Sequence, residues 1–106
     1  VLNNIQAIVM PDLIRGSVFY IDGFDNVVVN INKKLFDEFV GDKQFLISFR
    51  QHKIGSLSKH YSDVPEGEVL ALFNDAGYLE ISMNRANAAG LLGLAYGSLV
   101  MLEVFE

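Results

Sequence analysis

The stretch that most narrows the fold is Glu68-Val-Leu-Ala-Leu-Phe73, Asn74-Asp-Ala-Gly77, Tyr78-Leu-Glu-Ile-Ser-Met83. Two β-type runs flank a four-residue polar turn that ends in glycine, which is the pattern of an antiparallel hairpin. The first run is apolar on both faces for part of its length. The rest of the chain repeats the theme. Gly16-Ser-Val-Phe-Tyr-Ile21 alternates, and residues 26–31, with Val27, Val28 and Val29 in a row, read as its partner strand. Lys43 to Arg50 puts Phe45, Ile47 and Phe49 on one face and Leu46 on the other. Ser98 to Phe105 is a last strand. Ile5 to Met10 is a leading strand stopped by Pro11, which lacks a ladder donor. Gln51 to Ser58 is weaker, because Gly55 interrupts it.

The period changes at Asn32-Lys-Lys-Leu-Phe-Asp-Glu-Phe39, where Leu35, Phe36 and Phe39 share a helical face, Asn32 caps the start and Gly41 follows the end. Arg85 to Leu92, closed by Gly93, fits a second short helix. His60 to Gly67 is a loop punctuated by Pro65 and Gly67. Short strands at regular spacing with two helical insertions predict an all-β chain, an antiparallel barrel or sandwich. The pattern leaves the two open; the choice of a small antiparallel β-barrel with one or two short helices comes only from a resemblance carried by residues 16–105.

A length of 106 residues suits one domain. The net charge of −5 argues against a nucleic-acid binder, which needs a basic face. The absence of cysteine excludes a disulfide scaffold and a cysteine zinc site, and leans towards the cytoplasm. No apolar run approaches the roughly 20 residues of a membrane span, and no signal peptide is visible, so neither membrane nor secretion is expected. The chain begins with Val1 rather than Met, which predicts a piece of a longer or processed protein.

No self-sufficient active site stands out. His52 and His60 lack a third metal ligand at helical spacing, so no metal is expected. Ser58, His60 and Asp63 contain the residue types of a hydrolytic triad without a nucleophile elbow. The glycines fall singly at turns, not in a phosphate-cradling loop. Two turns carry an excess of ligand-type groups. One is Asp22-Gly-Phe-Asp-Asn26, where paired carboxylates could do acid–base work but more naturally bind. The other is Asn74-Asp-Ala-Gly-Tyr78, followed by Asn84-Arg-Ala-Asn87. Asn, Asp and Gly also favour turns for their own reasons, so turn chemistry alone accounts for both.

The same residues carry a resemblance. Gly16-Ser-Val-Phe-Tyr-Ile-Asp-Gly-Phe-Asp-Asn-Val-Val-Val-Asn-Ile31 resembles the G-x-V-x-x-I-D-x-F-G-N-x-x-T-N-I segment of the S-adenosyl-L-methionine (SAM) hydroxide adenosyltransferases, the family that includes fluorinating and chlorinating enzymes. Tyr61-Ser-Asp-Val64, Gly67-Glu68, Leu72-Phe-Asn-Asp-Ala-Gly-Tyr-Leu-Glu-Ile-Ser-Met-Asn84 and Asn87-Ala-Ala89 are similar to its Y-x-D-V, G-E, L-x-N-S-x-G-x-L-E-I-A-x-N and G-N-A-A blocks, in the same order. The resemblance spans residues 16–105 and covers only the family's C-terminal barrel. It implies residues 1–15 as a linker or leading strand from an absent N-terminal α/β domain, and 16–106 as the barrel. It also implies a homotrimer in which substrate lies between one subunit's N-terminal domain and its neighbour's barrel.

The implied role is the substrate-binding domain of an enzyme that converts SAM and water to adenosine and methionine, with SAM as substrate and no other cofactor. The water-activating groups lie on the other domain, so no catalytic residue is expected in this chain. By motif position, Asp22 meets the substrate ammonium, Phe24 and Tyr61 offer faces to the adenine, and Asn26 bonds its edge. The Asp75-Ala76 turn sits by the methionine carboxylate and amine, and backbone at Asn84 and Arg85 completes the adenine contacts. Five departures stand out: Asp25 for Gly, Val29 for Thr, Asp75 for Ser, Ser82 for Ala, and the missing Gly before Asn87. Asp75 would repel the substrate carboxylate and attract the ammonium. The alternatives are a non-catalytic β-barrel interaction or oligomerisation module, and a family member with lost or altered specificity.

Overall fold

A computed structural model describes residues 6–106. Along the chain the elements are β1 (Ile8–Val9), β2 (Leu13–Ile21), β3 (Val27–Asn32), α1 (Lys33–Val40), β4 (Gln44–Phe49), β5 (His52–Ile54), β6 (Val69–Phe73), β7 (Tyr78–Met83), α2 (Ala88–Leu92) and β8 (Leu99–Phe105), with one 3-10 turn at Tyr61–Asp63. The strands pair antiparallel in the order β5-β4-β8-β2-β3-β7-β6, with β1 added to β2. They curl into a nearly closed barrel, one of the two forms the strand spacing allows and the one the resemblance implies. Of the predicted leading strand only Ile8–Val9 forms, and Ile5 lies outside the described residues. Gln51 to Ser58 likewise shrinks to three residues, and the second helix starts at Ala88 rather than Arg85.

Alternation explains the core. Ile14, Val29, Ile31, Ile47, Ile81 and Leu102 all point inward and are wholly buried. The helix α1 plugs this interior with Phe36 and Val40, and Phe36 meets Phe45 and Phe73 edge-to-face, each at 5.1 Å between centroids. Its start is fixed as the sequence predicts: Asn32 Oδ1 accepts the Leu35 N–H at 2.8 Å. Gly16 lets β2 lie close over β3. A Cβ there would stand 2.9 Å from Ile31 Cδ1 and 3.1 Å from Asn30 Oδ1.

Part of the outer face is also buried. Val28, Glu80 and Leu72 are opposite one another across β3, β7 and β6, and Leu70 is opposite Ser82. All five are buried, although none belongs to the barrel interior. The connection from β5 to β6 spreads over this face. Ser58 N–H donates to Ala71 O at 2.8 Å, and Asn84 Nδ2 donates to Val64 O at 2.8 Å. That cover is why Glu68–Phe73 reads as apolar on both sides.

Candidate functional site

Both ligand-rich turns are first of all well-made turns. Asp22 Oδ1 accepts the N–H groups of Phe24 and Asn26, each at 2.9 Å, and Asp22 Oδ2 accepts Asn26 Nδ2 at 3.1 Å. The carboxylate therefore holds the β2–β3 connection in shape and still has lone pairs for a further donor. The turn leaves Phe24 projecting, 82% exposed. In the β6–β7 hairpin Asn74 Oδ1 accepts the N–H groups of Ala76 and Tyr78, each at 3.0 Å. Gly77, at φ 85°, closes that turn in the left-handed region.

Asp25, the most conspicuous departure, has a physical account. Its φ is 68°, the left-handed region where Gly is most at ease and Asp is among the few side chains tolerated. Its carbonyl accepts the Ala89 N–H at 3.0 Å and its Oδ2 accepts the Gly90 N–H at 2.8 Å. These are orphan amides of the first turn of α2. Asn87, at the N-cap position, makes no side-chain cap bond, so Asp25 caps α2 from 65 residues away. Its carboxylate is turned to the helix.

Around these turns lies an open cleft of about 630 Å³, lined by Asp22, Phe24, Asn26, Tyr61, Asn84 and Arg85 among others. Six of the eight expected binding residues thus come together from three separate stretches. Ala76 lines a second cavity of about 330 Å³, which Asp22 also borders. Asp75 is exposed and lines neither. Met83, Ala86 and Asn87 complete the first cleft and Glu80 borders the second; none is among those eight, although Ala86 and Asn87 fall in the ligand-rich stretch 84–87. Asn87 stands inside one of the family-like blocks. Glu80 likewise stands inside a family-like block, as the acidic position between inward-facing Leu79 and Ile81.

Tyr61 and Glu80 join the two cavities. Tyr61 Oη donates to Glu80 Oε2 at 2.8 Å, and Ser82 Oγ donates to the same oxygen at 2.7 Å. Burial pushes the Tyr61 phenol up to about 12, helped by the Glu80 hydrogen bond and by the negative charges of Glu80, Asp22 and Asp75. Outside the cleft, Asp63 is held below the usual carboxylate range by the backbone N–H groups of Lys59 and His60, at 2.8 and 3.1 Å. It orders the turn instead of orienting a histidine. His52 stacks on Phe49 at 5.5 Å. Among the described residues, no group of three or more His, Cys, Asp or Glu is placed to hold a metal ion, and no helix is long and apolar enough to cross a membrane.

The fold is a small antiparallel barrel with a cleft at its β2–β3 turn. Residues 16–101 match the SAM hydroxide adenosyltransferase C-terminal domain, and the chain belongs to that family. It is similar to two solved structures. An uncharacterised conserved protein from Thermotoga maritima is 27% identical with a TM-score of 0.76, over 96% of this chain and 40% of that one. A conserved hypothetical protein from Thermus thermophilus is 26% identical with a TM-score of 0.64, over 86% of this chain and 34% of that one. The chain therefore spans well under half the length of either. No curated protein matches it.

Proposed function

We propose that this chain supplies the nucleoside-binding wall of a SAM hydrolase, with residues 16–106 acting as the C-terminal domain beside an N-terminal α/β domain. The observation that carries the reading is the convergence of Asp22, Phe24, Asn26, Tyr61, Asn84 and Arg85 on one cleft. Phe24 and Tyr61 offer aromatic faces to the adenine. The Asn26 amide, with Nδ2 already tied to Asp22, presents its carbonyl oxygen and remaining N–H to the adenine edge. Asp22, bordering both cavities, meets the ammonium at the amino-acid end, towards Ala76. Asp25 and Asp75 do not oppose this reading, since one caps a helix and the other stands outside both cavities.

The cleft is wide open, which suits a half-site completed by a neighbouring subunit in a trimer, where water activated by groups outside this chain attacks the ribose C5′. Calorimetry with SAM on the intact protein, with product analysis for adenosine and methionine, tests the proposal. Heat of binding and adenosine release are the expected results. Neither heat nor adenosine would sink it and favour a non-catalytic interaction module.

A further inference from the structure

Glu80 is a carboxylate in an unusual place. It is 3% exposed on the outer face of β7, between Val28 of β3 and Leu72 of β6. None of the salt bridges among the described residues reaches it. Its hydrogen-bond donors are two hydroxyls, Tyr61 Oη and Ser82 Oγ, both on Oε2. Burying a carboxylate without a cation is costly, and the hydroxyl bonds only partly offset it. A Leu at this position would suit the surrounding Val28, Leu70 and Leu72 at least as well for packing.

What the carboxylate provides is a fixed anchor. Tyr61 sits in a single 3-10 turn on a long connection, with nothing of its own to hold the ring: the residue is 43% exposed. The bond to Glu80 ties the tip of that ring to the rigid middle of β7, 19 residues away. Ser82, two residues along the same face and wholly buried, supplies a second donor to the same oxygen and so fixes the carboxylate rotamer. The ring held this way is a wall of the larger cleft, and Glu80 itself is a wall of the smaller cavity.

We infer that Glu80 is a positioning residue: through Tyr61 Oη it sets the plane of the aromatic wall against which the nucleoside base lies. The inference rests on the proposed nucleoside site and adds to it a residue that touches the base only through another. A wall that is equally in place before and during the reaction contributes uniform binding. Its loss raises KM and the adenosine Kd and leaves kcat alone.

The test uses the intact protein with ring-¹³C-labelled tyrosine and three variants. Glu80→Leu keeps the volume and removes the acceptor. Glu80→Gln keeps an acceptor for Tyr61. Tyr61→Phe keeps the ring, removes its anchor, and carries the test if Glu80→Leu does not fold. Weakening by about fivefold to tenfold, the worth of one hydrogen bond, is expected for adenosine Kd and SAM KM in Glu80→Leu and Tyr61→Phe. Unchanged kcat and recovery of most of the affinity in Glu80→Gln complete the expected result. The Tyr61 ζ-carbon resonance should shift in Glu80→Leu and titrate lower than in the wild type, while staying above the ordinary tyrosine value because the burial remains. Wild-type affinity in Tyr61→Phe, or a fall in kcat at constant KM, overturns the positioning role alone. A wild-type protein that binds neither SAM nor adenosine overturns the site reading and the positioning role with it, and the unmoved or moved tyrosine resonance then reports only whether the contact exists.

Discussion

Replacing Asp25 tests both the geometry of the β2–β3 turn and the claim that its carboxylate serves a helix. Two terms are at stake. The bond from Gly90 N–H to Asp25 Oδ2 is a helix cap, and losing such a cap costs ~1 kcal/mol. The φ of 68° is a left-handed conformation, which costs an alanine ~1 kcal/mol or somewhat more. Asp25→Ala loses on both terms and should destabilise by ~2 kcal/mol. Asp25→Gly loses the cap but is at ease in the turn, for a net loss of ~1 kcal/mol. Asp25→Asn keeps an acceptor and the left-handed tolerance, and should lose only a few tenths. Chemical denaturation resolves this order, and for a domain of this size each kcal/mol moves the thermal midpoint by about 4–8 °C. If Asp25→Gly matches or exceeds the wild type, the carboxylate is no cap. If Asp25→Ala is as stable as Asp25→Gly, the backbone is not left-handed there. The same Gly variant should bring no gain in SAM turnover, because the carboxylate it removes faces α2 and not the cleft.

Two further outcomes follow from the same contacts. Gly16→Ala should lower stability by ~1–3 kcal/mol, because the new methyl must displace Ile31 from a packed core; an unchanged denaturation midpoint would refute the close approach of β2 to β3. Tyr61 is held protonated, with its folded value raised from 10.0 to about 12, so its contribution is fully present below pH 10 and is lost as pH rises towards 12. Because the side chain is partly open to water, that contribution should be below ~1 kcal/mol. The loss of stability measured between about pH 9 and 12 should shrink in Tyr61→Phe.

The all-β fold is readable because half-buried strands such as β2, β4 and β8 announce themselves by period two, while β3, β6 and β7, buried on both faces, read as nearly continuous apolar runs. Where that signal weakens, the predicted elements run too long: Gln51 to Ser58 holds only Ile54 and Leu57 as apolar points, and three residues of strand form. The second helix is shorter than its composition suggests because Arg85, at φ 57°, belongs to the turn before it, which composition does not reveal. The apolar outward positions of Glu68–Phe73 were visible, but what covers them was not, since the connection that lies over Leu70 and Leu72 is polar and reads as loop.

The candidate site was legible in its members and not in their partners. Asp22, Phe24, Asn26 and Tyr61, singled out by motif position, line one cleft, because a motif records where the backbone must go. It does not record which way each side chain turns. Asp22, given to the substrate ammonium by motif position and to turn chemistry by residue type, spends three bonds on its own turn. Asp25, marked as an added charge, is absorbed by α2.

The departures from the family pattern are better understood in pairs with their contacts than as single losses. Val29 takes a wholly buried inward position, where a threonine hydroxyl would need a partner in an apolar interior. Ser82 introduces a hydroxyl in an equally buried place, but there the partner is the uncompensated Glu80 carboxylate, 2.7 Å away. Asp25 adds a charge at a position written as Gly, and the α2 amides receive it. In each case the new group is matched by what it faces, so these changes alter how the cleft is braced rather than what lines it. Asp75 and Ala86 are the exceptions: Ala86, where the pattern has Gly, lines the cleft itself, and the Asp75 carboxylate braces neither turn nor helix and adds negative charge near Tyr61. A change in substrate preference within this family fold would therefore be sought first at Asp75, and Asp75→Ser in the intact protein, read as SAM KM, separates that charge from every braced departure.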